Sequence, residues 1–275
     1  MGRKIKYSYH KTPNRKSMKK IFIALLAVAF TFTAQAKQDK ELKENDINIV
    51  DAAQKGWNIR IGAGYLLGGA APLPIPVEIR GINGFNPGLN LSLEGSVQKI
   101  FNGTNWGVQA GLRFDTKGMT TDARTKNYHM VMKDGDTEIT GVFTGNVKTH
   151  VNNTYVSLPV LATYSIGQRW TVMAGLYASL LLKGTFDGEA YDGYLRDQDP
   201  TGVKMEINNA AYDFSNDLRK FHWGIQAGAE YKIYTHLAVF ANLQWGMNGI
   251  FPNGYSCVPF ALTPIYGNIG FNYIF

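Results

Sequence analysis

Apolar and polar residues alternate with a period of two from Trp57 to the last residue, in eight separate segments. The last segment shows the pattern most plainly. Ile265, Gly267, Ile269, Phe271, Tyr273 and Phe275 fall on one face of a strand, and Tyr266, Asn268, Gly270, Asn272 and Ile274 on the other. The earlier segments are Trp57 to Leu67, Leu89 to Phe101, Trp106 to Asp115, Thr154 to Ile166, Trp170 to Lys183, Phe221 to Tyr234 and Leu237 to Asn248. In each, one face is dominated by Ile, Leu, Val, Ala and aromatics, and the other by Gly, Ser, Asn, Gln and a few charges. Pro159 interrupts the fourth segment. Because it has no N–H to give to a ladder, it predicts a bulge or a strand end there. No stretch after Trp57 has a helical period, and no apolar run reaches 18 residues.

The connectors come in two lengths. Residues 101–105, 167–169 and 235–236 are short turns, whereas 68–86, 116–153, 184–219 and 249–262 read as long loops. This rhythm predicts an all-β, eight-stranded antiparallel up-and-down transmembrane barrel with tight periplasmic turns and larger extracellular loops. An even strand count places both chain ends of the barrel on the periplasmic side. The charge partition agrees. The outward rows carry no Lys, Arg, Asp or Glu, while the inward rows carry Arg60, Glu94, Arg113, Asp115, Glu230 and Lys232. A basic side chain on the lipid face near the midplane would cost about 2–4 kcal/mol. A lipocalin-like soluble barrel would show the reverse, apolar inside and polar outside. The competing soluble reading, a buried final strand of a sandwich, leaves that partition unexplained. Trp57, Trp106, Trp170, Tyr231, Tyr273 and Phe275 sit at periplasmic strand ends, where an interfacial aromatic girdle is expected.

The formal charge of +7 changes little. Eight of the 28 basic residues precede Lys37 in a stretch without an acid, and without them 20 basic residues stand against 21 acidic. The balance therefore argues against nucleic acid as a partner, which needs a basic face. Met18-Lys-Lys, the apolar run from Ile21 to Phe32 and Ala34-Gln-Ala36 read as a secretory signal with cleavage after Ala36. Residues 1–36 are thus assigned to the signal, with Met18 the expected start. Residues 37–56 are read as a short periplasmic lead-in and 57–275 as the barrel. The single Cys257 permits no internal disulfide and no cysteine metal site.

Three stretches resemble the PorT-type outer-membrane beta-barrel family of Bacteroidota: Tyr155-Val-Ser-Leu-Pro-Val-Leu-Ala-Thr-Tyr164, Asp217-Leu-Arg-Lys-Phe-His-Trp-Gly-Ile-Gln-Ala-Gly-Ala-Glu-Tyr231 and Gln244-Trp-Gly-Met-Asn-Gly249. The resemblance spans most of residues 57–275. It implies a barrel in the outer membrane, and for some members a role in type IX secretion. The terminal Phe275 likewise resembles the C-terminal signature read by the barrel assembly machinery, which implies that machinery as a partner beside outer-membrane lipid.

Candidate chemistry is sparse. Arg60, Glu94, Arg113 and Glu230 predict a lumenal ion-pair cluster, because an eight-stranded barrel has an interior just wide enough for side chains to fill. A narrow ion or solute conduit is the alternative. His222 and His150, with Asp213 and Asp217, are the residues on which a rim-located enzyme would depend, but no nucleophile motif, zinc motif or phosphate loop accompanies them. Asp187, Asp192, Asp197 and Asp199 do not follow the EF-hand spacing. Tyr191, Tyr194, Tyr212 and Phe214 offer a contact surface for an extracellular ligand or protein. The expectation is a non-enzymatic protein without cofactor or metal, acting structurally or through its loops. The other roles weighed are a small pore and an accessory of outer-membrane assembly or secretion.

Overall fold

The computed structural model describes residues 56–275 except 135, 136, 198, 256 and 259, and the side chains of 130–140 are also left undescribed. The signal at 1–36 and the lead-in up to residue 55 lie outside the described residues. Among those described, ten strands form one antiparallel sheet: β1 (Trp57–Pro72), β2 (Ile79–Asn86), β3 (Asn90–Ile100), β4 (Trp106–Asp134), β5 (Thr137–Ile166), β6 (Trp170–Asp197), β7 (Lys204–Asp213), β8 (Phe221–Tyr234), β9 (Leu237–Gly246) and β10 (Leu262–Ile274). Eight of them close a ring in the order β1-β3-β4-β5-β6-β8-β9-β10, and β10 returns to β1 through ladders from Arg60↔Ile274 to Pro72↔Leu262. The eight predicted segments are these eight strands. Two of the short turns at one end of the ring contain Gly103 and Gly167, whose φ values of 73° and 62° are costly for a residue with a Cβ.

Of the four long connectors, 68–86, 116–153 and 184–219 carry strands, which corrects the sequence reading, while the described residues of 249–261 form a loop as read. Strands β4, β5 and β6 are 29, 30 and 28 residues long, whereas a membrane crossing takes about 9–11. Their upper parts remain paired to one another well above the ring, from Thr116↔Thr154 to Asp134↔Thr137 between β4 and β5. β2 joins the free edge of β4 where β3 has ended, and β7 joins the edge of β6. Residues 116–153 and 184–219, read as loops, therefore build a sheet extension above the barrel. Pro159 also departs from expectation. It lies mid-strand opposite Tyr177, and the β4–β5 register is the same on both sides of it, at Ala110↔Val160 and Arg113↔Ser157. The β4–β5 pairing lapses between those two positions, so the missing N–H interrupts the ladder without a bulge there.

In the ring the apolar rows face outward and are exposed: Ile61, Leu93, Leu112, Val160, Leu176, Ile225, Leu243 and Ile269. The inward rows are buried and polar, among them Arg60, Gln98, Gln109, Arg113, Asp115, Ser157, Gln226, Glu230, Gln244 and Asn268. Above the ring the sense reverses. On β4 the inward row continues as Met119, Thr121, Ala123 and Thr125, and the outward row as Thr120, Asp122 and Arg124. On β5 Val147, Thr149 and Val151 face in, opposite Lys148, His150 and Asn152 facing out. An apolar core gathers inside the extension from Met119, Val151, Phe186, Leu218, Ile250, Phe251, Val258 and Leu262.

Candidate functional site: a filled lumen below an apolar chamber

The lumen is filled in layers. At the end with the short turns, one Arg60 nitrogen donates to both Glu230 oxygens at 2.9 and 3.0 Å, and its other terminal nitrogen donates to Gln98 at 2.6 Å. Gln98 donates in turn to Thr163, and Asn272 donates to Glu230. Beneath this layer opens a polar vestibule of about 280 Å³, lined by Asn58, Thr104, Gln168, Arg169 and Lys232 and ending on Arg60 and Glu230.

The middle layer centres on Arg113, whose surface is fully covered. Its guanidinium donates to Asp115 at 2.9 Å, to Gln226 at 2.8 Å and to Glu94 at 3.3 Å. Asp115 also accepts from Ser157, which bonds Ser179, while Asn268 donates to Ser92. Removing one partner of such a pair would strand a buried charge. The sequence-predicted cluster is therefore two networks, Arg60–Glu230 and Arg113–Glu94, and Asp115 is the central acid that the prediction passed over.

The third layer was not anticipated. Lys117 lies 3.8 Å from Asp115, and its ammonium sits 5.3–5.5 Å from the ring centres of Tyr155, Tyr177 and Tyr266. A cation facing three aromatic rings in a desolvated place is held by their quadrupoles. The spacing held a signal for this layer, since Lys117 continues the inward row of Arg113 and Asp115. The space left there is about 10 Å³, room for about one water.

His222 joins this layer. It stacks edge-on against Tyr155 at 5.2 Å, and its Nε2 bonds the Arg219 carbonyl at 2.9 Å. Asp217 instead accepts from Tyr255 at 2.8 Å. His150 lies on the outer face of the extension, bonded to Thr120 at 3.0 Å and opposite Asp187 in register, and Asp213 lies one strand further. Burial raises the Asp187 pKa, partly countered by the nearby His150. The two histidines are thus not brought to one site. Among the described residues no group of three or more His, Cys, Asp or Glu is placed to hold a metal ion.

Above Lys117 the chain encloses an apolar chamber of about 250 Å³, lined by Met119, Ala123, Val147, Phe186, Val258 and Phe260 among others. Of the four predicted contact aromatics, Tyr212 and Phe214 turn into this region and stack at 5.2 Å. Tyr191 instead donates to Asp122 at 2.7 Å on the outside, and Tyr194 lies beneath Arg196 and Lys204. The Tyr212 hydroxyl is bonded to Thr149 at 2.6 Å, and burial raises its pKa. Trp57, Trp106, Trp170, Tyr273 and Phe275 are exposed, and Tyr231 half-buried, all at the end with the short turns. Trp106 meets Tyr164 at 4.9 Å and Trp170 meets Tyr231 at 4.8 Å.

A family model described as outer membrane protein beta-barrel domain matches residues 34–252. No curated protein matches the sequence. Among solved structures, the chain is similar to Ail, the attachment invasion locus protein of Yersinia pestis, in complex with the heparin analogue sucrose octasulfate. Identity is 10% over 80% of this chain and 97% of that one, with a TM-score of 0.35. A second Ail structure gives 12% identity over 80% and 99%, with a TM-score of 0.33. Neisserial surface protein A gives 10% identity over 80% and 97%, with a TM-score of 0.27.

Proposed function

Because the chain belongs to the outer membrane protein beta-barrel domain family, we propose that it is a closed, non-conducting barrel that carries its working surface above the membrane. In this reading the lumen is scaffold. The sheet extension contacts an extracellular ligand or protein, and no catalysis is involved. The observation that carries the reading is Arg113, fully covered and bonded to Glu94, Asp115 and Gln226 across the interior, with the Lys117 layer above and the Arg60–Glu230 layer below. A pore would need a hydrated path past all three layers.

Two finer assignments belong with this reading. The PorT-type membership rests on the three stretches quoted above, and it is the one support for an accessory role in assembly or secretion. Insertion by the assembly machinery is supported by the terminal strand, whose Phe271, Tyr273 and Phe275 are exposed on the outward face. The polar vestibule favours the pore reading only as far as Arg60 and Glu230, where it ends. Single-channel recording in planar bilayers separates the two: the wild-type protein is expected to give no discrete conductance steps. Steps that persist after repurification of the folded, heat-modifiable form, the gel band whose mobility shifts on boiling, would overturn the closed-barrel reading.

A further inference from the structure

We infer that the chamber in the extension holds an alkyl chain of an outer-leaflet lipid, admitted sideways through a seam in the wall between β1 and β2. The inference rests on the reading that the protein works through its extension, and it names the chemistry of one ligand.

The seam follows from the ladders. β1 pairs with β3 only up to Leu66↔Asn90, then runs on to Pro72 with β10 as its one partner. β2 pairs with β4 and not with β1. Above Leu66 the wall is therefore split, and side chains close it. The Ala70 N–H, an edge donor without a strand partner, donates to the Met119 sulfur at 3.3 Å. A Cβ added at Gly69 would lie 2.7 Å from that sulfur and 3.3 Å from the Phe85 ring. A thioether and a ring at a strand edge can rotate aside, whereas a backbone ladder would have to break.

The lips of the seam are apolar and bare. Ile82 and Phe85 face the interior by register, opposite Ala123 and Thr121, yet are 65% and 54% exposed. Leu73 and Ile75 are exposed on the other lip. On β4 and β5 the outer surface above the ring turns polar, with Thr120, Asp122, Lys148 and His150. Beside the seam the lipid-facing surface, ending in Leu67 and Leu89, continues as the apolar side chains of Ile82 and Phe85 into an interior. That continuity selects membrane lipid as the source. The lining selects the part of the molecule: it includes no charged residue, and the Tyr212 hydroxyl already bonds Thr149. A charged headgroup would find no counter-charge there. Size selects one chain, since about 150 Å³ of apolar cavity accepts a benzene and whole drug-sized ligands take about 300–1,000 Å³.

Cys257 lines the chamber and is the chain's one cysteine, so it reports on the site without substitution. The folded wild-type protein in phosphatidylcholine vesicles is treated with a phosphatidylcholine carrying a maleimide at the end of one acyl chain, with free N-dodecylmaleimide, or with a sulfonated, water-soluble maleimide. Adducts are followed by mass spectrometry. The lipid-borne maleimide is expected to modify Cys257 at least about tenfold faster than the sulfonated one, because thiol chemistry is selected by access. Ala123→Trp and Val147→Trp, each still heat-modifiable, are expected to slow the lipid reaction by a similar factor without changing the rate for the unfolded chain. Three results would overturn the inference: equal rates for the lipid and sulfonated reagents, reaction with free dodecylmaleimide but not with the phospholipid, or lipid rates unchanged in both folded tryptophan variants. None of these bears on conductance. A failure here with a silent barrel leaves the proposed function standing, whereas conduction by the wild-type protein would fail that reading instead.

Discussion

Arg60 and Glu230 sit on strands far apart in sequence, and each is nearly without solvent contact. The bond between them pairs two charged groups, either of which would be costly to bury alone. Arg60→Ala is expected to cost about 3–5 kcal/mol, because it leaves the buried Glu230 carboxyl with only Asn272 to bond it. The double variant Arg60→Met with Glu230→Leu should cost less than either single change, since it removes the charges together. Reversible urea unfolding in phosphatidylcholine vesicles measures these together with Arg60→Met and Glu230→Leu alone, and additive losses in that cycle would show that the pair is not the unit of stability. Lys117 poses a different case. Its partners are one carboxylate and three tyrosine rings, and a desolvated cation–ring contact contributes about 2 kcal/mol. Lys117→Met keeps the volume and loses the cation. It is expected to destabilise by about 2 kcal/mol, whereas Tyr266→Phe, which keeps the ring, should be close to neutral in the same assay.

At the scale of the strand, the part legible in the sequence was the part in the membrane. Rows such as Trp106, Val108, Ala110, Leu112 and Phe114 alternate in one sense throughout, and the eight ring strands were found from that sense. The upper strands alternate too, but with the roles exchanged. Met119, Thr121, Ala123 and Thr125 point in while Thr120, Asp122 and Arg124 point out, and the inward row is mild enough to pass for loop composition. The same holds for Val147, Thr149 and Val151. Short polar residues on an inward face weaken the period-two signal, and β2 and β7 were missed because they are edge strands whose pairing depends on β4 and β6. The lumen divides the same way: the charges were visible as inward positions, but which acid meets Arg113 depends on strand register, which a single strand's pattern does not carry. The exchanged polarity gives a paired prediction. Val151→Asp places a carboxylate in the apolar core of the extension and should loosen the β6–β7 hairpin, seen as faster amide exchange across 186–213. The neighbouring Asn152→Asp, on the outer face opposite Thr185, should leave that exchange unchanged.

The described residues form two layers on shared strands, apolar outside and polar inside in the ring, and the reverse in the extension. The level at which the outer row changes fixes how deep the protein sits, because lipid and water each reject the other layer's surface. On β4 that change falls between Phe114, half exposed to lipid, and Thr116 and Thr120 above it. An arginine moved up this one row therefore reads the membrane boundary directly. Leu112→Arg should cost about 2 kcal/mol or more, whereas Thr116→Arg and Thr120→Arg, each measured against its own Thr→Val variant to set aside the hydroxyl bonds to Leu91 and His150, should cost about 0–1 kcal/mol and nothing measurable, following the depth dependence of basic residues on a lipid-facing strand. Urea unfolding in bilayers gives the three values. A cost that stayed high through Thr120 would mean that lipid reaches the extension on every side. The seam between β1 and β2 would then be one point on a buried surface, and the side entry inferred for it would lose its distinction from the rest of the wall. A cost that falls away by Thr116 leaves β1 and β2 as the sector where apolar surface rises past the boundary.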